Sequence, residues 1–214
     1  MMKPWIPAAL LLALAGTAKA GPITRDLGLG LVFERVHSLP GDLPTDESVH
    51  GHPCVLDLRY VRGDAAAATA LAGWLKFHAA PHTPVLLLAN AETGRELLAP
   101  FASADAIVGL IILGETSADT ATDIPLPVAA TVERRAYDAL EKGASVDSLI
   151  AEKLEKPRND EARLAREHIS DSAMSAETGE RPSNQGRKPA AALIDLTLQR
   201  AVQLHRTLLA LKRL

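Results

Sequence analysis

Two apolar runs constrain this chain more than anything else in it. Residues 84–89 read "PVLLLA" and residues 106–113 read "AIVGLIIL". A strand with one face in water alternates apolar and polar side chains, so an unbroken run implies cover on both faces, as in a parallel sheet. Residues 54–60, "CVLDLRY", form the second strand in chain order, with a charged end. Residues 29–37, "LGLVFERVH", form a first strand, and the Pro, Gly, Asp and His of 38–52 a loop. Gly63-Asp64 turns the chain after the "CVLDLRY" strand, and Asp64 is placed to cap a helix over 65–79. Ala67, Leu71, Trp74 and His78 then share one helical face. A second helix follows over about 93–102. Strand, helix, strand, helix, strand in this rhythm predicts an α/β fold with right-handed crossovers.

The pattern changes after residue 113. "IPLPVAA" (124–130) is extended at most, and short helices are expected over 131–142 and 145–156 on either side of Gly143. Residues 158–170 are charged and helical in pattern. The charge run 152–168 reads as solvated helix surface, with acid–base pairs at helical spacing adding a little. Residues 171–190 are polar and hold almost no large apolar side chain, so they read as a linker. A final helix over about 192–211 carries Leu193, Leu196, Val202, Leu204, Leu208 and Leu211 and must dock on the body or on a partner. The expected organisation is a sheet core over 21–130, a helical extension over 131–170, a linker over 171–190 and a docking helix over 191–214.

Residues 1–20, "MMKPWIPAALLLALAGTAKA", have the form of an export signal. Lys3 supplies the positive start, Ile6 to Ala15 the apolar core, and Ala18-Lys19-Ala20 the cleavage site. The apolar core is shorter than the ~20 residues a membrane span needs. Cleavage would leave 194 of the 214 residues and place the protein in the periplasm or outside the cell; retention as an anchor is the other possibility. The segment carries two Lys and no acid, so its loss moves the formal charge from −3 to −5. A mildly acidic chain without a basic block gives no electrostatic case for nucleic acid. Cys54 is the only cysteine, which leaves a buried thiol or a bridge between chains but no internal disulfide.

Four phrases, in order, resemble the core of the C-terminal-processing (tail-specific) serine peptidases of the ClpP/crotonase-like superfamily. "VLDLRYVRGD" (55–64) is similar to that family's Leu-Asp-Leu-Arg strand and its glycine turn. "PVLLLANAETGRELL" (84–98) is similar to the strand ending in Asn and the nucleophile-bearing helix. "VGLIILGETS" (108–117) is similar to the next strand and its Gly-Glu-x-Thr turn, and "DLTLQRA" (195–201) to the start of the terminal helix. The resemblance covers roughly 54–128 and the last helix. It implies a ClpP/crotonase-like fold, a serine nucleophile activated by a lysine, and oligomerisation through helices near the domain's end.

The chemistry departs from the resemblance. Counted from Asn90, the nucleophile position holds Arg95, and 84–102 contain no Ser. The region where the base is implied reads "GETSADTATD" (114–123), and no Lys lies between Phe77 and Glu141. Gly63 matches the first oxyanion-turn glycine, but Asp64 replaces the second, and a carboxylate there disfavours a developing oxyanion. The expected site is therefore a vestigial pocket of Arg59, Gly63, Asp64, Asn90, Thr93, Arg95, Glu96, Gly114, Glu115 and Thr116 at the carboxyl ends of neighbouring strands. Within it Arg59 or Arg95 could hold a peptide carboxylate. The alternative, which we favour, is that Asp57, Arg59, Arg95, Glu96 and Glu115 compensate one another in a disused cleft. "HGHPC" sets His50, His52 and Cys54 at alternating positions, but a closed zinc site wants a fourth ligand and none is identifiable, so no metal and no cofactor is expected. "RGD" at 62–64 is explained as the strand-to-helix turn.

These readings converge on an exported, catalytically inactive peptidase-like protein with a binding or assembly role. Homo-oligomers, an exported protein partner at the last helix, or a peptide ligand are its expected contacts. Two alternatives stand beside it. One is an active serine/threonine hydrolase with a relocated site using Thr93 or Ser117 and a His such as His82. The other is an accessory subunit of an exported peptidase.

Overall fold

The structure is a computed structural model that describes residues 21–44, 51–101, 107–115, 122–150 and 193–214. The expected signal segment, the helix over 158–170, the linker over 171–190, and residues His50, Thr116 and Ser117 lie outside the described residues.

Among the described residues six strands form one sheet in the order β1 (Ile23–Asp26), β2 (Val32–Arg35), β3 (Cys54–Asp57), β4 (Val85–Ala89), β5 (Leu110–Gly114) and β6 (Ile124–Pro125). Every pair from β2 onward is parallel. The edge strand β1 runs antiparallel to β2, with Thr24 opposite Glu34. The expected strand at 29–37 is therefore shorter and part of a hairpin. β1 itself was not anticipated, because "ITRD" is brief, polar and exposed at three of its four positions. "IPLPVAA" contributes two paired residues, Ile124 and Pro125. Two-residue pairing and a proline blunt that edge.

Strand order follows chain order, and this decides the layers. Crossovers of one hand between successive neighbours put every connecting helix on the same face. Helix α1 (Ala65–His78) and the short α2 (Arg95–Leu98) occupy that face. Asp64 caps α1 as expected, accepting from the Ala67 N–H at 2.9 Å. Ala67, Ala68, Leu71 and Leu75 pack on Leu56, Leu58, Val85, Leu87 and Ala89. Trp74 is only half-buried and donates its indole N–H to the Pro44 carbonyl at 2.9 Å, which fastens the loop after β2 over α1.

The opposite face would be bare without the residues that follow β6. It is covered by α3 (Ala130–Glu141), α4 (Val146–Leu149) and α5 (Leu196–Ala210). Leu140, Val146, Leu149, Leu198, Ala201 and Val202 join Phe33, Val55, Leu86, Leu88 and Leu113 in a second core. The last helix thus docks on its own body, and the helical extension is part of the same sandwich. All five β4 residues are buried, as an unbroken apolar run requires. Among the described residues no helix is long and apolar enough to cross a membrane.

The rotation of α5 selects among its apolar residues. Leu198, Ala201, Val202 and His205 face inward, whereas Leu196 and Leu211 are exposed. The inward stripe follows from Asp195, which caps the helix at Leu198.

Candidate functional site

The strand ends bring two different features together, a buried ion network and an open cleft. The network starts at Asp57, the last residue of β3. Its carboxylate accepts from the Arg59 N–H at 3.1 Å and Nε at 2.9 Å on one oxygen, and from Arg59 Nη2 at 2.9 Å and Arg35 Nε at 3.0 Å on the other. Arg59 then reaches Asp195 with both terminal nitrogens, at 3.0 and 2.8 Å. Asp195 Oδ1 also accepts from the Leu198 N–H at 3.0 Å, so one carboxylate caps α5 and clamps it to the sheet. Arg35 donates to the Tyr137 carbonyl and to Glu141, and its guanidinium lies 3.8 Å from the centre of the Tyr137 ring.

Burial opposes ionisation of Asp57, yet the guanidiniums of Arg59 and Arg35 and the hydrogen bonds from Arg59 hold its carboxyl down at about 2. Burial likewise disfavours the Arg59 charge, but Asp195 and Asp57 raise its pKa well above the ordinary value. Arg59 is thus an internal strut with all its charge answered inside the protein. That removes it from the expected pocket as a holder of a peptide carboxylate.

Asn90 links this network to the turn after β4. Its Nδ2 donates to Glu133 at 3.2 Å, and its Oδ1 accepts from the N–H groups of Tyr60 and Glu92. Glu133 also accepts from the Thr197 hydroxyl on α5. Tyr60 holds φ at +65°, a strained value for a bulky residue, and its ring meets Tyr137 edge-on at 4.7 Å while Arg134 lies over it at 4.6 Å. Burial first, then Glu133, pushes its phenol up to about 12.

The cleft lies on the other side of this turn. Arg62, Gly63, Asp64, Ala91, Glu92, Thr93, Gly94, Arg95 and Glu96 line a volume of about 750 Å³. It forms because two turns pack backbone to backbone: the Gly94 N–H donates to the Val61 carbonyl at 2.8 Å. A Cβ on Gly94 would approach Arg62 Cα at 3.2 Å, and one on Gly63 would meet Leu97 Cδ2 at 2.6 Å and Ala67 Cβ at 2.8 Å.

Of the expected pocket residues, Gly63, Asp64, Thr93, Arg95 and Glu96 come together here. Asn90 lies beneath the turn, and Gly114, the last residue of β5, and Glu115 after it lie outside the lining. Arg62 and Glu92 join the cleft without having been expected. The signal for Arg62 was its place between the end of β3 and the α1 cap, which the "RGD" reading passed over. The lining charge is mixed, with Arg62 and Arg95 facing Asp64, Glu92 and Glu96.

Chemically the cleft offers little. The one hydroxyl among its described lining residues, Thr93, is buried, accepts from the Asn90 N–H at 2.9 Å and can donate to the Leu58 carbonyl at 3.1 Å or to Asn90 Oδ1 at 3.2 Å. Among the described residues no Ser, Cys, Lys or His lines it. His82 is exposed and precedes β4, whereas Thr93 follows it, so the strand's length of roughly 16 Å, at about 3.3 Å per residue, separates them. Thr93 with His82 is therefore not a catalytic pair. Cys54 is buried, and burial first, then Glu34, pushes its thiol up to about 12, while His52 is exposed. Among the described residues no group of three His, Cys, Asp or Glu side chains is placed to hold a metal.

Comparison with known proteins adds little to this geometry. No protein-family model matches the chain, and no curated protein does. Among solved structures, one similar chain is a lipoprotein from Streptococcus agalactiae, at 12% identity over 44% of this chain and 49% of that one, with a TM-score of 0.31. The chain spans about half the length of that structure, and a likeness this slight assigns neither fold family nor activity.

Proposed function

We propose that this chain is an exported, catalytically inactive relative of the tail-specific peptidases, ClpP/crotonase-like in fold, that uses the cleft between its two turns for binding. The single observation that carries the reading is the composition of that cleft. Gly63, Asp64 and Arg95 line it together, as the resemblance implies for the oxyanion turn and the nucleophile position, yet the only hydroxyl among the described lining residues is buried and hydrogen-bonded to neighbouring main-chain and Asn90 atoms. Arg95 is a permanent cation and cannot attack a carbonyl. Two arginines beside backbone turns suit an extended peptide ending in a carboxylate, with Glu92 and Glu96 favouring a basic or neutral body behind it.

Titration with one unfolded-chain peptide in free-acid and amidated forms tests this. The free acid binds more tightly, and Arg95→Ala together with Arg62→Ala removes the difference. Equal binding of both forms by the parent protein contradicts the reading. Recovery of a peptidase in pull-downs from the exported fraction would assign the chain to an accessory subunit instead of a free-standing binder.

A further inference from the structure

The tip of the β1–β2 hairpin is strained, and the sequence offers it a relaxed alternative. Gly28, Leu29 and Gly30 follow one another at φ +78°, +56° and +76°. Leucine is disfavoured there by its Cβ, and its side chain gains no packing in return, because Leu29 is 66% exposed; the turn is held by its own hydrogen bonds, Leu27 N–H to the Leu31 carbonyl at 2.9 Å, Leu31 N–H to the Gly28 carbonyl at 3.1 Å and Gly28 N–H to Asp26 Oδ1 at 2.8 Å. Leu27, Leu29, Leu31 and Phe33 alternate with Gly28, Gly30 and Val32. In an extended chain these four would line one face. Leu31 and Phe33 are already fully buried on the α5 side of the sheet, with Ile23 and Leu27 packed partly against the same core. The strand that the sequence predicts from residue 29 is this row, interrupted by the turn.

β1 is also weakly held. It lies at the sheet edge, its Thr24, Arg25 and Asp26 are exposed, and its side-chain tie to β2 is the 2.7 Å bond from the Thr24 hydroxyl to Glu34. We propose that β1 is exchanged between two copies of this chain. Residues 27–31 straighten, each β1 pairs with the β2 of the other copy in the same register, and Leu29 leaves the left-handed region to rejoin the apolar row. Every contact of β1 is reproduced in the exchanged dimer. The two forms differ in hinge strain and Leu29 exposure, which favour exchange, and in the hydrogen bonds of the turn, which pass to water when it opens, and the entropy of association, which oppose it; the last makes the balance depend on concentration. This inference does not depend on the proposed function.

The test is a Thr24→Cys/Glu34→Cys variant in a Cys54→Ala background, oxidised and run without reductant, beside light scattering of the parent protein across concentrations. Exchange predicts a dimer that grows with concentration and a disulfide joining two chains. Leu29→Gly should raise the concentration for half-dimerisation about a hundredfold, a factor of about ten for each strained leucine relieved. A dimer whose oxidised chains separate as single chains overturns the proposal, because its β1 strands have stayed at home. So does a parent protein that stays monomeric at every concentration reached.

Discussion

Arg59 and Asp195 stand 136 positions apart and meet through two parallel hydrogen bonds of 3.0 and 2.8 Å, with both side chains sealed from solvent. The pair joins the end of β3 to the first turn of α5. It also fixes the rotation of that helix, because the carboxylate that binds Arg59 is the one that caps Leu198. With the cap in place, residues three, six, seven and ten positions further on face the sheet, and these are Leu198, Ala201, Val202 and His205.

Removing Asp195 should therefore cost far more than a helix cap. Asp195→Ala leaves the Arg59 charge buried and half-answered, a change worth about 3–5 kcal/mol, and adds about 1 kcal/mol for the lost cap. Asp195→Asn keeps a capping acceptor and should lose less. Urea unfolding midpoints measure both. A loss near 1 kcal/mol for Asp195→Ala would mean that apolar packing alone positions α5.

Acid should weaken the fold in two stages. Burial and the neighbouring Arg206 hold the folded pKa of His205 below its ordinary 6.5. The unfolded chain then binds the proton first, so the contribution of His205 is complete above about pH 6.5 and is lost as pH falls through the folded value. The Asp57 carboxyl, held at about 2 against an ordinary 3.8, contributes stability that is complete above about pH 4 and is lost as pH falls toward 2. Glu34 acts in the opposite sense: burial raises its pKa above 4.5 despite the Thr24 hydrogen bond, so its contribution declines as pH rises through that region. Stability measured from pH 7 to pH 2 should fall in both windows, and His205→Gln should flatten the upper one alone.

Three glycines should respond differently to alanine. Gly114, at φ +146°, would drive a Cβ into the Ala89 carbonyl oxygen, and neither backbone can yield without breaking the β4–β5 ladder. A loss above about 4 kcal/mol is expected. Gly63→Ala meets Ala67 Cβ and the end of Leu97 and should lose about 1–3 kcal/mol by overpacking. Gly143, at φ +90° with open space around it, should lose only about 1 kcal/mol of backbone strain. Thermal unfolding of the three variants gives the order.

Much of the sheet was legible because its signals are local. The unbroken run of β4, the Asp64 cap and the Asn90 stop each act over a few residues, and each appears where the sequence puts it. What was illegible depends on partners far along the chain. The pairing of Arg59 with Asp57, two residues away, agrees with the compensation the sequence favours, but nothing around Arg59 announces its second partner, Asp195. Of the leucines of α5 only Leu198 is fully buried, while Thr197, Gln199 and His205 are buried beside it, so the inward face follows the clamp at Asp195 more than the apolar pattern. β1 escaped notice because an edge strand needs little apolar character.

The proposed role requires that the cleft bind and not cut. Incubating the purified protein with a fluorophosphonate probe and an unfolded substrate tests it most directly. The buried, doubly bonded Thr93 hydroxyl predicts no covalent label and an intact substrate, with Thr93→Ala changing only stability, by about 1–3 kcal/mol for the groups left unpaired. Labelling of the protein that Thr93→Ala abolishes, accompanied by substrate cleavage, would contradict it.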